Sequence, residues 1–516
     1  MSTQQPDILF LVLDTQRADR LSCYGYDQPT SPQLDALAAE ATIFNNAIAA
    51  AQWTVPSHAS MFTGLYPSEH QMFQSYSVMS EQAETLAERL QKGGYYTAGF
   101  CNNPLVGVIN NGLRRGFDSF LNYSGLLTSR PNQAGKSPGL IGRYRQFFKG
   151  VLAKILNQVQ DAFARSDTLL ALSFTPLMVP LWQTALSFKG NTAKSLEDTA
   201  KLLIDRLGTQ PEQPIFTFVN LMGTHMPYHP PRQYVEQFAP HVLRDRDARN
   251  FLQRFNSDVY GWLAPLTGAL DEQQKKTLDG MYDAEVAHQD MQLGKFFQQL
   301  KQSGRLDKTL VIICADHGEH LGEKQLMGHS LSIYNELVQV PLIIRDPQNQ
   351  LPQGARVNQV VSTRRLFHTA VAAAGLATAE EAALSLVQAS DRSSDHVFSE
   401  AVPPQNVVNL MQKRQPDLVR DRACDQPRRA VWMGRHKLIE TGCDRVELYD
   451  VVEDPSEDLN LSDILPENVE VLQECLQAFV GDRSTAAALA AVATRAPGFD
   501  DPEVQRRLQE LGYLED

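Results

Sequence analysis

Three kinds of residue in this chain could do chemistry together: Asp14, the pair Asp316-His317, and Thr54. Asp14 and Asp316-His317 each follow a short apolar run, Asp7 to Asp14 and Thr309 to Cys314. Two carboxylates and one imidazole make an oxygen-rich donor set suited to a hard or borderline divalent cation. A nucleophile comes from Thr54-Val-Pro-Ser-His-Ala-Ser-Met-Phe-Thr-Gly64. Pro56 fits the first turn of a helix, so the Thr54 hydroxyl is expected on the wall of a cleft, where backbone N–H groups and the helix dipole favour an anion. Asn102 and Asn103 follow the Tyr95 to Cys101 run, and Asn220 and His225 close the Ile215 to Met222 run. Taken singly, Asp14 reads as a helix cap, Asp316 as a turn residue, Thr54 as a plain N-cap and each histidine as a half-buried polar group. Their convergence after successive apolar runs argues for a site.

The elements that must position them follow from the same pattern. The apolar runs, Val340 to Arg345 included, are mostly separated by helical stretches such as Ser31 to Ala41, Glu84 to Lys92 and Lys194 to Leu207. That alternation predicts an α/β fold, a large parallel or mixed sheet sandwiched by helices. In such a sheet the ligand lies beyond the carboxyl ends of the strands, where the chemistry-bearing residues fall. The catalytic α/β domain is expected over 1–390, with a helical insert at about 125–200. A smaller C-terminal α+β domain and tail is expected over 391–516. There, Arg429 to Glu440 and Val446 to Tyr449 read as strands around Thr441-Gly442, followed by a helix over Pro466 to Phe479.

With 516 residues, 43% hydrophobic and 21% charged, the chain has apolar side chains enough for a large core, which excludes disorder, collagen and coiled coil. A net charge of −13 argues against nucleic acid as a partner. The six cysteines, Cys23, Cys101, Cys314, Cys424, Cys443 and Cys475, show no Cys-x-x-Cys and suggest neither a disulfide framework nor a zinc finger. The first residues show no secretion signal, so a cytoplasmic location is expected. The insert from Lys136 to Lys189 is basic in its first half and uncharged from Thr168 to Phe188. It reads as a helical lid, or as a peripheral membrane contact suited to a lipid-like substrate.

The order of the motifs carries a resemblance. Asp14-Thr-Gln-Arg-Ala-Asp-Arg-Leu-Ser-Cys-Tyr-Gly-Tyr26, Thr54 to Gly64, Asn220 to Tyr228, Ala315-Asp-His-Gly-Glu-His-Leu-Gly322 and Tyr334 to Pro341 look like successive motifs of the sulfatase family, in the alkaline phosphatase superfamily. Glu447 to Leu461 resembles the segment closing that family's smaller C-terminal domain. The resemblance implies that Asp14, Thr54, Asp316 and His317 hold one divalent metal (Mn, Zn or Ca), with an optional weaker second ion. It also implies that His225 and His329 bind substrate oxygens, protonate the leaving group or help with that second ion.

The departures from the family pattern point to the reaction. Sulfate-ester sulfatases carry Cys or Ser, converted to formylglycine, where this chain has Thr54, and threonine is not a substrate for that conversion. The motif's arginine is replaced by His58, the family's Lys-x-His by the region of Asn102, its later lysine by His329, and the second of its paired aspartates by Thr15. His58 is accordingly placed with the catalytic groups, and Asn102 and Thr15 with the substrate. Positive charge is lost and imidazoles are gained, as in superfamily relatives that cleave phosphate esters with a threonine activated at a metal. The resemblance therefore implies a metal-dependent hydrolase of phosphate, phosphonate or sulfate esters using Thr54. The alternatives are a transferase sharing the same threonine intermediate and a non-catalytic binding protein on a sulfatase-like scaffold. The substrate is expected to be a small-molecule or lipid-like ester. Arg17 and Asp19 are expected to pair structurally, Glu319 and His320 to orient His317, and Tyr282 to Asp290 to serve packing and capping.

Overall fold

The computed structural model describes residues 5–124, 132–133, 189–257, 266, 268–388 and 396–481. The expected insert lies outside the described residues from 134 to 188, and with it the lid and membrane-contact readings.

The larger sheet is built from β1 (Asp7–Leu13), β2 (Thr42–Ile48), β3 (Tyr96–Cys101), β4 (Ser119–Asn122), β5 (Asn132–Gln133), β6 (Ile215–Leu221) and β7 (Thr309–Cys314). A small hairpin, β8 (His320–Leu321) and β9 (Met327–Gly328), follows, and the sheet resumes with β10 (Gln339–Val340), β11 (Leu342–Arg345) and β12 (Arg356–Ser362). The order across its ten strands is β10-β2-β11-β7-β1-β6-β3-β4-β5, with β12 pairing β2. The central strands β7, β1, β6 and β3 are all parallel. Every residue of β1, β6 and β7 is buried, which is why these strands read as unbroken apolar runs.

Register explains how residues 300 apart in sequence meet. Val12 is level with Asn220 on one side and Cys314 on the other, and Cys101 is level with Asn220. Asp14, Asp316, Asn220 and Asn102-Asn103 therefore emerge along one edge.

Not every strand is parallel. The Val340 to Arg345 run divides at Pro341, which has no N–H to give a ladder, and β11 runs antiparallel to both β7 and β2. β2 itself escapes a search for apolar runs because Asn45 and Asn46 interrupt it. Both side chains are used at the sheet surface, where their amides bond Asn358.

The smaller sheet is antiparallel: β13 (Val397–Ala401), β14 (Arg428–Met433), β15 (His436–Thr441) and β16 (Arg445–Asp450) in that order. The stretch expected as a strand from Arg429 to Glu440 is thus a hairpin, turned at Gly434, whose φ of 61° suits glycine. A helix over Pro466–Gly481 covers this sheet through Leu472 and Leu476.

A buried charge ties the smaller sheet to loops of the larger one. Lys437 on β15 is fully buried; its Nζ lies 2.6 Å from Glu457 and donates to the Ile333 carbonyl (2.7 Å). Glu457 also accepts the Asn335 N–H at 2.6 Å. The smaller sheet thereby holds the loop that follows His329. Replacing Lys437 by Met leaves Glu457 buried without its cation, an expected loss of about 3–5 kcal/mol in chemical denaturation.

Candidate active site

Thr54 opens the helix Thr54–Thr63, and the N-cap is Trp53 rather than Thr54, so the Thr54 hydroxyl is not engaged in capping that helix. Its Oγ1 lies 3.3 Å from His317 Nε2 and accepts from Asn103 Nδ2 at 3.4 Å. Thr54 is wholly buried, which corrects the expectation of an exposed cleft wall. The cause is local packing, because the Asn103 and His317 loops close onto the helix start.

His317 Nδ1 bonds the Gly318 carbonyl at 2.9 Å, and that contact needs a proton on Nδ1. Nε2 then carries the lone pair, turned toward Asp316 Oδ2 (3.3 Å) and Asp14 Oδ1 (4.0 Å). Asp14 Oδ2 accepts from Asn103 (2.7 Å) and Asn220 (3.2 Å), while Asp316 Oδ1 accepts the N–H groups of His317 (3.0 Å) and Thr15 (3.4 Å). The remaining oxygens, Asp14 Oδ1 and Asp316 Oδ2, are buried and accept no hydrogen bond from the described residues, although His58 Nδ1 lies 3.4 Å from Asp316 Oδ2. The ligand atoms of Asp14, Asp316 and His317 lie within 4.8 Å of one another, the one such group of three found among the described residues. Buried carboxylate oxygens without donors, beside a nitrogen lone pair and a hydroxyl, fit a divalent cation.

Burial, followed by repulsion from Asp316, raises the Asp14 pKa from 3.8 to about 7. Burial also raises Asp316 to about 7. A carboxyl with a higher pKa folded than unfolded stabilises the fold below its unfolded value, near 4, and loses that contribution as pH climbs through about 7. Metal-free protein is therefore expected to lose thermal stability over this window. Added Mn²⁺ should restore more stability above pH 7 than below pH 5, since binding requires both carboxylates ionised. Melting curves with and without the ion check this.

The other expected residues divide into two groups. His225 and His329 stand beside the metal-ligand group: the His329 ring is 4.5 Å from that of His317 and 5.0 Å from that of His225. His329 Nδ1 is 2.7 Å from Glu319 Oε1, and His225 Nδ1 bonds the Met226 carbonyl at 2.6 Å. Burial pushes His225 down to about 3, holds His329 well below the usual imidazole range and raises Glu319 to about 7. His58 lies behind the group, with Nδ1 on the Thr54 carbonyl (2.9 Å), Nε2 toward Asn220 (3.4 Å) and its ring edge-on to Phe62 and Phe218. Nδ1 thus holds the helix start, and Nε2 meets the end of β6. Thr15 sits in a left-handed conformation (φ 60°), and its side chain bonds Thr224 at 3.4 Å. Asn102 is fully buried, and neither side-chain heteroatom has a hydrogen-bond partner among the described residues.

Arg17 does pair with Asp19 (2.6 Å). Two other expectations change. Glu319 holds His329, not His317, and His320 bonds Ser332 at 2.6 Å. The β8–β9 hairpin brings His329 back beside Glu319, which takes that ring instead.

Asn103, the neighbour of the expected Asn102, touches both Asp14 and Thr54. Pro104 after it was the available signal: a proline at the first helical position makes Asn103 the N-cap, and its Oδ1 accepts from Leu105 (2.9 Å). That bond turns the Nδ2 toward Asp14. Asn103→Ala is expected to weaken metal affinity or activity about 10- to 100-fold, measured by metal titration and initial rates.

The Sulfatase family model matches residues 6–376. The chain is 24% identical over 373 residues to an arylsulfatase of Clostridium perfringens, covering 71% of this chain and 74% of that one. Its fold is similar to that of the phosphonate monoester hydrolase of Agrobacterium radiobacter (TM-score 0.61, 20% identity, 92% of this chain and 95% of that one). It is also similar to the phosphonate monoester hydrolase of Silicibacter pomeroyi (TM-score 0.62, 18% identity, 93% and 96%). The match over most of the length, with Asp14, Thr54, Asp316 and His317 assembled at one sheet edge, shows that the chain belongs to the sulfatase family of ester hydrolases.

Proposed function

We propose that the chain is a divalent-metal-dependent hydrolase of phosphate or phosphonate esters, with sulfate esters as slower substrates, and that Thr54 is its nucleophile. The observation that carries this reading is the Thr54 hydroxyl itself, 3.3 Å from His317 Nε2 at the position where the family's sulfate-ester enzymes need a formylglycine precursor.

Asp14, Asp316, His317 and Thr54 would hold the cation, which when bound supplies Lewis-acid stabilisation of charge on the reacting oxygens. The residues of this chain then divide the remaining work. Asn103 fixes the Thr54 oxygen by donating to it, and the start of the helix Thr54–Thr63 favours negative charge developing there. The Thr54 hydroxyl gives up its proton to solvent, its oxygen forms a bond to phosphorus as the bond from phosphorus to the leaving oxygen breaks, and water later hydrolyses the phospho-threonine, regenerating the hydroxyl. The leaving oxygen needs a proton. His329 is the better donor because the Glu319 carboxyl at its Nδ1 can return a proton to the ring as Nε2 gives one up, whereas His225 has a carbonyl in that place. His225 stands beside it as the second imidazole facing the substrate. His58, with both nitrogens engaged, keeps the Thr54 backbone and Asn220 in place.

A panel of an aryl phosphate monoester, a phosphate diester, a phosphonate monoester and an aryl sulfate, assayed with Mn²⁺, Zn²⁺ or Ca²⁺, tests the reading. Phosphorus esters are expected to turn over faster than the sulfate. Faster cleavage of the sulfate, or no cleavage of any member with any ion, overturns it. Alcohol present in the assay distinguishes transfer from hydrolysis by the product formed.

A further inference from the structure

The helix Glu272–Gln302 presents Tyr282, Glu285 and Gln289 at spacings of three and four, hence on one face. None of them reaches the metal-ligand group. Each instead holds backbone of a loop that does. The Tyr282 hydroxyl donates to the Thr15 carbonyl (2.7 Å) and accepts from the Arg17 N–H (2.9 Å). Gln289 accepts the Gly223 N–H at 3.1 Å, and Glu285 Oε1 accepts the His229 N–H at 2.7 Å. Gly223 and His229 are the two ends of the loop that carries His225.

Lys189, from a distant part of the chain, completes this grip. Its Nζ donates to the Gly223 carbonyl (2.9 Å) and to the same Glu285 oxygen (2.7 Å), and it lies 5.6 Å over the Tyr228 ring. Gly223 is thus held at both its N–H and its C=O, and a Cβ there would come within 2.4 Å of the Gln289 oxygen. Glu285 is 4% exposed, so its pairing with Lys189 is made away from water, where it is strong.

We propose that Lys189 and Glu285 are a positioning pair for the reaction: they clamp the Gly223–His229 loop at both ends and so fix His225 against the substrate. The proposal rests on His225 facing the substrate, as in the proposed function. It also gives Tyr282 to Asp290 a part in the site beyond packing, and makes the chain just before the helix Thr192–Asp205 necessary for a complete site.

A double-mutant cycle tests it, with kcat/KM read for wild type, Lys189→Met, His225→Ala and the double variant. Lys189→Met alone is expected to lower kcat/KM about 10²-fold, the scale of a misplaced catalytic group. In the His225→Ala background the same change is expected to have an effect within about twofold, because there is no longer an imidazole to place. Lys189→Arg should recover most of the loss. If Lys189→Met does not fold, Glu285→Gln enters the same cycle. An equal loss in both backgrounds, or no loss from Lys189→Met, overturns the clamp while leaving His225 in its role. A His225→Ala variant with unchanged kcat/KM overturns the role of His225 itself, and the clamp with it.

Discussion

Thr54→Ala is expected to lower kcat/KM by on the order of 10⁴- to 10⁶-fold, the range found when a nucleophile is deleted. Its hydroxyl is the single oxygen on that side chain, and Asn103 and His317 both converge on it. The fold should survive, since alanine suits a helical position and the cap is Trp53. A circular dichroism melt on the same preparation separates lost chemistry from lost structure. Thr54→Ser keeps an oxygen in reach and should retain part of the activity, losing chiefly the orientation that the methyl group imposes. Near-normal turnover by Thr54→Ala would remove the threonine from the mechanism.

The second large effect is expected at the metal ligands. Asp316→Asn and His317→Ala should each lose bound cation and activity together, by more than the about 10- to 100-fold typical of groups that merely support a ligand. Asp316→Asn removes one of two buried carboxylates, and His317→Ala removes the one imidazole in the group of three. A chelator should reproduce the activity loss in wild type, and added Mn²⁺ should reverse it. Metal analysis of each variant beside its rate checks the coupling. Full activity in either variant with no bound metal would contradict the assignment.

Much of this site was legible in the sequence because parallel strands report themselves. β1, β6 and β7 are buried on both faces, so each reads as an apolar run whose next polar residue must stand at the sheet edge. Asp14, Asn220 and Asp316-His317 were all found that way. The antiparallel pairing of β11 was not legible, because the direction of a short strand depends on a register set by contacts far away in sequence. Asn102 and Asn103 were both legible at the end of β3, but not which of them enters the site, because residues emerging from a strand alternate in direction. Only the bond to Leu105 decides which of the two points at Asp14. Glu319 was assigned to the wrong histidine for a similar reason: its partner His329 is ten residues away and brought back by the β8–β9 hairpin. The role of Glu285 lay beyond sequence reasoning altogether, since its partners Lys189 and His229 belong to two other segments.

The most direct measurement of the central claim is to catch the nucleophile. Mn²⁺-loaded protein is mixed with a phosphate ester bearing an activated leaving group, so that formation of an intermediate outruns its breakdown. The mixture is then quenched in acid and its peptides are mapped by mass spectrometry. One phosphoryl group on Thr54, absent from the Thr54→Ala variant, is the expected result. Turnover with no phosphorylated Thr54, or with the phosphoryl group on another residue, would contradict it.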